Sequence, residues 1–362
     1  MGQDHRSGFR VRAPGRVCLF GEHSDYLGLD VIAAAIDVTI KIEAQPREDD
    51  LIVVTYTDLK ERDEFSIASE IGYRTKRDYL RSAFNVMARN GFVLNHGWDL
   101  EVNGTIPIAA GLSSSSALTV GGIKAIMKMT DRNLPSEEIA LRAYDAEVAE
   151  FGESGGTMDH FASSVGGVIY VNTLENKVYR LPAELDMFVV GDSGEKKRDT
   201  VGDLRYIRTT VEREYGEIAK DLESFDRRVT PVNMICETLE FNQNKERRMA
   251  IATLHNRDLT HRALKLLSKP LLDNNELGKM LREHHEILRN DLERSTPKIE
   301  RLIEAAYDAG ALGCKINGSG GGGSMMAYAV GCEYEVASAI KRVGGTPYIV
   351  KVANGAEMVI VN

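Results

Sequence analysis

The chain has 362 residues, of which 43% are hydrophobic and 27% are charged, and its formal net charge is −9. This length exceeds what one compact core usually holds, so two domains are expected. The negative charge argues against nucleic acid as a partner, because a phosphate backbone selects a basic surface; a small anionic ligand needs only a few local cations and N–H groups.

Strand-like and helix-like segments interleave without the regular alternation of a doubly wound sheet. Strand patterns occur over residues 38–42, 51–56, 98–102, 168–171 and 188–190. Residues 212–295 are charged and poor in Gly and Pro, which predicts helices in which His284 and His285 are packed imidazoles. Thr296-Pro297 predicts the start of a helix that ends near Gly310. An α+β protein follows, with domains at residues 1–183 and 184–362.

The cysteines and the N-terminus indicate a cytoplasmic protein. The four cysteines form no C-x-x-C pair and have no histidine at metal-ligand spacing, so reduced, mostly buried thiols are expected. No apolar stretch follows Met1, and no window of about 18 uncharged apolar residues occurs. We therefore expect neither a secretory signal nor a membrane partner, and the sequence leaves the oligomeric state open.

The first polar motif runs from Arg12 to Tyr26 and reads RAPGRVCLFGEHSDY. Its residues Glu22, His23 and Asp25 supply acceptors and a switchable donor that suit vicinal hydroxyls. From the residue types alone, a solvated loop is the alternative, because polar residues beside a glycine are common in loops.

A serine-rich loop follows the strand pattern at 98–102 and opens a helix-like stretch that reaches Met129. Small residues at a helix start let a phosphate approach exposed N–H groups, and the helix dipole favours the anion. No Walker pattern occurs anywhere in the chain. A plain serine-capped helix is the alternative, although a cap needs only one of the four serines. The candidate phosphate-binding residues are Gly111, Leu112, Ser113, Ser114, Ser115 and Ser116.

Two further glycine-containing segments carry candidate residues. Asp159 follows a glycine pair that ends at Gly156, and a simple turn is its alternative reading. Residues 318–323 hold five glycines in six positions, which indicates that a ligand or another backbone comes very close. A flexible linker is disfavoured there, because apolar segments flank the loop on both sides.

A basic run lies near the start of the second predicted domain. Lys197 and Arg198 follow the strand at 188–190 and are predicted to form a solvated charged turn, with Tyr206 shortly after them. If the substrate were a sugar acid, its carboxylate would dock at this run.

Taken in order, these motifs resemble the family of galactokinase, homoserine kinase, mevalonate kinase and phosphomevalonate kinase, the GHMP kinases, and most closely its galactokinase branch. The match covers Val11 to about Tyr328. Cys18 and Phe20 stand where galactokinases usually carry Asn and Ile, and Phe-Gly-Glu-His is the wording more typical of mevalonate kinases. The acceptor of the phosphoryl group is therefore less well specified than the family.

The resemblance implies a two-domain kinase with its active site in the cleft between the domains, and ATP and Mg²⁺ as cofactors. It assigns catalysis to Asp159 with Arg16 beside it, and the metal to Ser115 and Glu147, the latter on a helix predicted over 139–150. The substrate positions would be Glu22, His23, Asp25, Gly156 and Tyr206. ATP would contact the serine loop and Gly320, Gly321 and Gly322.

The implied reaction transfers the γ-phosphoryl group of ATP to a sugar hydroxyl, with a hexose giving its 1-phosphate as the first expectation. A sugar acid, an amino sugar, a heptose or mevalonate remain alternative acceptors. A protein that binds ATP and sugar without catalysis, and an ATP-consuming diphosphate decarboxylase, are the alternatives of other classes.

Overall fold

The computed structural model describes residues 7–107, 110–196, 199–238 and 244–361. Within these ranges the strands are β1 Phe9–Phe20, β2 Val31–Pro46, β3 Leu51–Tyr56, β4 Glu61–Ser66, β5 Trp98–Gly104, β6 Val168–Asn172, β7 Lys177–Arg180, β8 Phe188–Asp192, β9 Gly313–Asn317, β10 Ser324–Tyr328, β11 Thr346–Val350 and β12 Glu357–Ile360. The helices are α1 Tyr79–Arg89, α2 Ser114–Met129, α3 Ser136–Tyr144, α4 Met158–Val165, α5 Thr200–Asp221, α6 Val232–Thr238, α7 Lys245–Leu267, α8 Asn274–Asn290, α9 Pro297–Asp308 and α10 Glu333–Arg342. A 3₁₀ turn covers Asp25–Leu27 and a π-helix covers Asp145–Ala149.

The strands form two sheets, which confirms the α+β prediction. The larger sheet has eight strands, six of them in the order β12-β1-β2-β5-β3-β4, while β6 pairs with β2 and β7. The smaller sheet has four strands in the order β11-β8-β10-β9. The last strand, β12, returns to pair with β1, although it belongs to the residues assigned to the second domain. The boundary near residue 183 stays a prediction.

Strands of the larger sheet alternate buried and exposed side chains, as β5 shows. In β5, Trp98, Leu100 and Val102 are buried while Asp99 and Glu101 are exposed, as expected for a strand with one face on the core. By contrast, β9 and β10 are buried at all five positions, because they lie between elements on both faces. One hydrophobic cluster contains core residues of both sheets, so the two halves pack on each other.

Two predicted helices can be compared with the structure: the one that begins at Thr296-Pro297 and the one over residues 139–150. The start of α9 is confirmed, because Thr296 Oγ1 accepts a hydrogen bond from Ile299 N at 3.3 Å and Pro297 occupies the first turn. The single helix predicted over 139–150 is wrong in its second half, where a π-helix follows α3. Glu150 N donates to Asp145 O at 2.9 Å, and the wider turn buries three consecutive residues, among them Glu147.

The described residues contain no helix that is both long and apolar enough to cross a membrane. The four cysteines are free thiols, and Cys18 and Cys314 are buried. His284 and His285 are buried as predicted, and His284 Nδ1 donates to Leu19 O at 3.1 Å.

Candidate active site

Arg16 and Asp159 form a bidentate ion pair in the wall of a cavity of about 440 Å³. Arg16 Nε donates to Asp159 Oδ1 at 2.6 Å, and Nη2 donates to Oδ2 at 2.8 Å. Arg16 Nη1 donates to Gly111 O at 2.7 Å, so one guanidinium joins β1, the serine loop and α4. Burial by itself would lower the pKa of Arg16, but the carboxylates of Asp159 and Glu22, with smaller contributions from other neighbours, together raise it. The cation is therefore fixed beside the carboxylate.

Ser113 points its hydroxyl at Asp159 instead of capping α2. It has a left-handed backbone with φ of 61°, makes no side-chain cap bond, and its Oγ donates to Asp159 Oδ2 at 2.5 Å. The N–H groups of the first turn of α2 are therefore left without a side-chain cap on the side where Ser114, Ser115 and Ser116 line the cavity. This geometry suits an anion better than the plain serine-capped helix.

Leu112 departs from the rest of the serine loop. Its side chain is buried in the core, and its carbonyl accepts a hydrogen bond from Arg16 N at 3.2 Å. Of the predicted loop residues, Leu112 is the one that does not line the cavity. Its structural role is to hold the loop against β1.

Asp25 lies in the wall of the cavity, in the 3₁₀ turn after β1. Its carboxylate accepts hydrogen bonds from Tyr26 N at 2.9 Å and Met158 N at 3.3 Å. Burial and the nearby Asp159 carboxylate raise the pKa of Asp25 to about 6. A Cβ atom at Gly156 would lie 2.1 Å from this carboxylate, so only glycine fits there. Among the described residues Asp25 has no ion-pair partner, and it can accept further donors from the cavity.

Glu22 and His23 line the cavity, but one oxygen of the Glu22 carboxylate is bound by other groups of the protein. Glu22 Oε2 accepts hydrogen bonds from Lys315 Nζ at 3.0 Å and Gly318 N at 2.9 Å. Burial would raise the pKa of Glu22, but Lys315 and Arg16 together lower it to about 2. His23 has a left-handed backbone with φ of 64°, and its Nδ1 lies 2.7 Å from the Tyr26 hydroxyl.

The two predicted metal ligands line the same cavity. Glu147 is buried in the π-helix, and its Oε2 accepts a hydrogen bond from His160 Nε2 at 2.8 Å. Ser115 lies in the first turn of α2 and contributes a hydroxyl. No group of three or more His, Cys, Asp or Glu side chains in the described part of the chain has metal-site geometry. Two oxygen ligands that leave room for phosphate oxygens are the arrangement typical of Mg²⁺ beside a nucleotide.

The late glycine loop packs against two other backbone segments. Gly321 N donates to Arg294 O at 2.8 Å, and Gly323 N donates to Glu195 O at 3.1 Å. A Cβ atom at Gly320 would lie 2.6 Å from Arg294 O, at a φ of 71°. Gly318 and Ser319 line the cavity, whereas Gly320, Gly321 and Gly322 do not. The close approach of other backbone therefore accounts for these three glycines, and their contact with ATP stays a prediction.

Tyr206 does not line the cavity, so its contact with a substrate stays a prediction. Tyr206 lies on α5 with 49% of its surface exposed, and it is not among the residues that line the cavity. Val201 and Leu204 of the same helix face the cavity instead. Two residues along a helix turn the side chain by about 200°, which places Tyr206 on the opposite face. Lys197 and Arg198, predicted as a charged turn, lie outside the described residues.

A second cavity of about 460 Å³ adjoins the first and shares Tyr79, Ser114 and Ser115 with it. Most of its other lining is apolar: Ile40, Val102, Ile106, Pro107, Leu118 and Tyr348. Polar and apolar compartments thus meet at the start of α2.

Sequence reasoning missed two residues of this site. Lys315 is a fully buried charge in β9, and the available signal was a lysine within an otherwise apolar strand pattern before the glycine loop. His160 was missed because an isolated histidine is most often an ordinary packed side chain.

Comparison of the sequence with known proteins identifies the family of the chain. Residues 78–167 match the model described as GHMP kinases N terminal domain, and residues 263–331 match GHMP kinases C terminal. The chain belongs to the GHMP kinase family. Residues 2–46 of this GHMP kinase also match the galactokinase galactose-binding signature. Members of the family are ATP-dependent kinases with small-molecule substrates.

Individual relatives of this GHMP kinase carry two different names. It is 31% identical over 350 residues to the mevalonate kinase of Pyrococcus abyssi, with 94% of each chain covered. It is 28% identical over 344 residues to the galactokinase of Haemophilus influenzae, with 88% of this chain and 84% of the relative covered. The crystal structure of Lactococcus lactis galactokinase complexed with galactose has the same fold, with a TM-score of 0.86, 21% identity, and 98% and 96% coverage of the two chains. The predicted two-domain GHMP kinase fold is confirmed.

Proposed function

We propose that this GHMP kinase transfers the γ-phosphoryl group of ATP to a hydroxyl of a hexose and forms the hexose 1-phosphate. The observation that carries the proposal is Asp25, a partly buried carboxylate without an ion-pair partner among the described residues, in the same cavity as Asp159. An acceptor with neighbouring hydroxyl groups would donate to Asp25 with one and present another to Asp159. The match of residues 2–46 to the galactose-binding signature supports the same class of acceptor.

In this proposal the Asp159 carboxylate accepts the proton of the attacking hydroxyl, or orients it. Arg16 keeps Asp159 fixed through two hydrogen bonds and stays cationic, so it also faces the negative charge of the transferred group. Ser113 holds the second carboxylate oxygen of Asp159. Positioning of the two reactants and charge neutralisation are the main tasks of an enzyme in phosphoryl transfer.

The nucleotide would occupy both cavities. Its phosphates would lie at the open N–H groups of Ser114, Ser115 and Ser116, and its base in the adjoining apolar cavity. Ser115 and Glu147 would hold Mg²⁺, which would neutralise the negative charge of the phosphates. His160 keeps the Glu147 carboxylate oriented toward that position.

Mevalonate is the second candidate acceptor, because the Pyrococcus abyssi relative of the same length is a mevalonate kinase. Mevalonate carries a carboxylate, which requires a cation in its site. Arg16 and Arg77 line the cavity, but Arg16 pairs with Asp159, and Arg77 Nε donates to Glu153 Oε1 at 2.7 Å. An acceptor rich in hydroxyl groups fits this charge distribution better.

An acceptor panel tests the proposal. ADP release would be measured with galactose, other hexoses, an amino sugar, a sugar acid, a heptose and mevalonate, and the product would be assigned by phosphorus NMR. We expect turnover with a hexose and phosphate on the anomeric oxygen. Turnover with mevalonate alone would contradict the proposal, and binding of ATP and sugar without ADP formation would favour a non-catalytic protein. Release of carbon dioxide would identify a decarboxylase.

Gly156→Ala is expected to raise KM for the acceptor about tenfold while KM for ATP stays within about twofold of the unmodified enzyme. The reason is steric, since the new Cβ atom would overlap the Asp25 carboxylate and push it out of the acceptor site. Gly216→Ala is the matched control, because nothing lies within 4 Å of a Cβ atom at that glycine. Equal acceptor KM values for the two variants would show that Asp25 and Gly156 are not part of the acceptor site.

A further inference from the structure

Lys315 is a fully buried charge where the two halves of the chain meet. It lies in β9 with 0% exposure, and its Nζ donates to Glu22 Oε2 at 3.0 Å and Cys18 O at 2.9 Å. An unpaired buried ammonium costs several kcal/mol, so the ion pair with Glu22 is required for burial of either partner. The two residues are 293 positions apart in sequence.

The end of β9 makes further contacts with the first half of the chain. Asn317 Oδ1 accepts a hydrogen bond from Cys18 N at 3.0 Å, and Asn317 Nδ2 donates to Gly111 O at 2.8 Å. Gly318 N donates to the same Glu22 oxygen that Lys315 contacts. Residues 315–318 therefore make hydrogen bonds to β1, to the serine loop and to the polar motif after β1. The next residue, Ser319, lies in the cavity wall.

The polar motif has backbone geometry that requires support. Gly21 has φ of 84°, and His23, which is not glycine, has φ of 64°. A left-handed backbone at a non-glycine residue costs about 1–2 kcal/mol and persists only where the surroundings hold it. Glu22 lies between these two residues, and its side chain is bound from the second sheet. The orientation of His23 and Asp25 toward the acceptor thus depends on Glu22.

We propose that Lys315 is a positioning residue for the acceptor: by binding Oε2 of Glu22, it fixes the motif that presents His23 and Asp25 to the acceptor hydroxyls. The acceptor part of this inference rests on the proposed function. Oε2 of Glu22 then supports the acceptor site from within the protein.

Three variants test this inference: Lys315→Met, Glu22→Gln and the double variant. Lys315→Met is expected to raise the acceptor KM about tenfold with KM for ATP changed less than about twofold. The double variant is expected to recover part of this loss, because it leaves no unpaired carboxylate. Lys124→Met, which removes a half-buried lysine of α2, is the control and should change neither KM. An unchanged acceptor KM in Lys315→Met, or a double variant that loses the sum of the single losses, would overturn the inference.

A second measurement needs no acceptor. It follows stability against pH, so every titratable or charged group near the Glu22 carboxylate matters. These groups are Lys315 of β9, Arg16 and Cys18 of β1, His23, Asp25 and Tyr26 of the following turn, and His284 of α8. Loss of Lys315 removes the largest contribution that lowers the pKa of Glu22, while burial, which raises it, remains. We therefore expect the folded variant to retain a proton on Glu22 that the unfolded chain has lost. The unfolding temperature of Lys315→Met should therefore fall relative to the wild type as pH rises from 5 to 9.

The double variant keeps every other facing group, so it should show no such fall. The same pH dependence in both variants would overturn the inference. If Lys315→Met fails to fold, a folded double variant supports the inference and an unfolded one overturns it. This measurement remains decisive if the wild type phosphorylates none of the acceptors in the panel, in which case only the proposed function fails.

Discussion

Asp159→Asn is expected to lower kcat by about 10²-fold or more, the usual scale for a positioned acid–base group. The amide cannot take up the proton of the attacking hydroxyl, and it offers one acceptor oxygen where Arg16 and Ser113 now contact two. Binding of ATP should be nearly unchanged, because the phosphate-binding N–H groups lie on α2. Steady-state kinetics and calorimetric titration with ATP measure the two effects separately.

Asp145→Asn is the control for this variant, since Asp145 lies on the neighbouring π-helix with 42% of its side chain exposed. Its kcat should match the unmodified enzyme. If Asp159→Asn kept full turnover, Asp159 would not act on the proton, and its ion pair with Arg16 would be structural only.

Asp25→Asn is expected to weaken the reaction and stabilise the protein at the same time. The amide accepts weaker hydrogen bonds from hydroxyl groups than a carboxylate does, so kcat/KM for the acceptor should fall about 10–100-fold. At pH 8 the free energy of unfolding should rise by roughly 2–3 kcal/mol, because burial and Asp159 raise the pKa of Asp25 from 3.8 to about 6.

The sign follows from proton binding in the two states. Between pH 4 and 6 the folded state keeps the Asp25 proton while the unfolded state loses it, so stability of the unmodified protein falls through this window and stays reduced above it. The two proteins should therefore be equally stable below pH 4 and differ above pH 6, as measured by urea unfolding. Equal stability at pH 8 would show that Asp25 ionises without penalty, and Asp145→Asn again serves as the control.

The parts of the fold that depend on local pattern could be predicted from the sequence. The alternation in β5 and the Thr296-Pro297 start of α9 are set by neighbouring residues, and both appear as expected. The likeness of the polar motif and the glycine-rich loops to GHMP kinases located the family and the pairing of Arg16 with Asp159, which are 143 positions apart. Local pattern contains no information about a pair at that separation.

The errors have physical causes of the same kind. Lys315 and Glu22 meet only after both sheets have packed, so neither residue type nor spacing reveals their ion pair. Tyr206 was assigned from the family resemblance, which does not fix the face of α5 on which it lies, and that face turns by about 100° for each position along the helix. The π-helix at Glu147 differs from an α-helix by one residue per turn, a difference that propensity does not encode.

The pairing of β12 with β1 makes one edge of the first sheet depend on residues 357–360. Residues 357–360 are translated after the other strands of the described residues, so the edge of β1 that β12 covers has unsatisfied hydrogen-bonding groups until then. Such an edge can pair with a neighbouring nascent chain. Once residues 357–360 have been made, β12 covers the long edge of β1 and becomes the edge strand in its place.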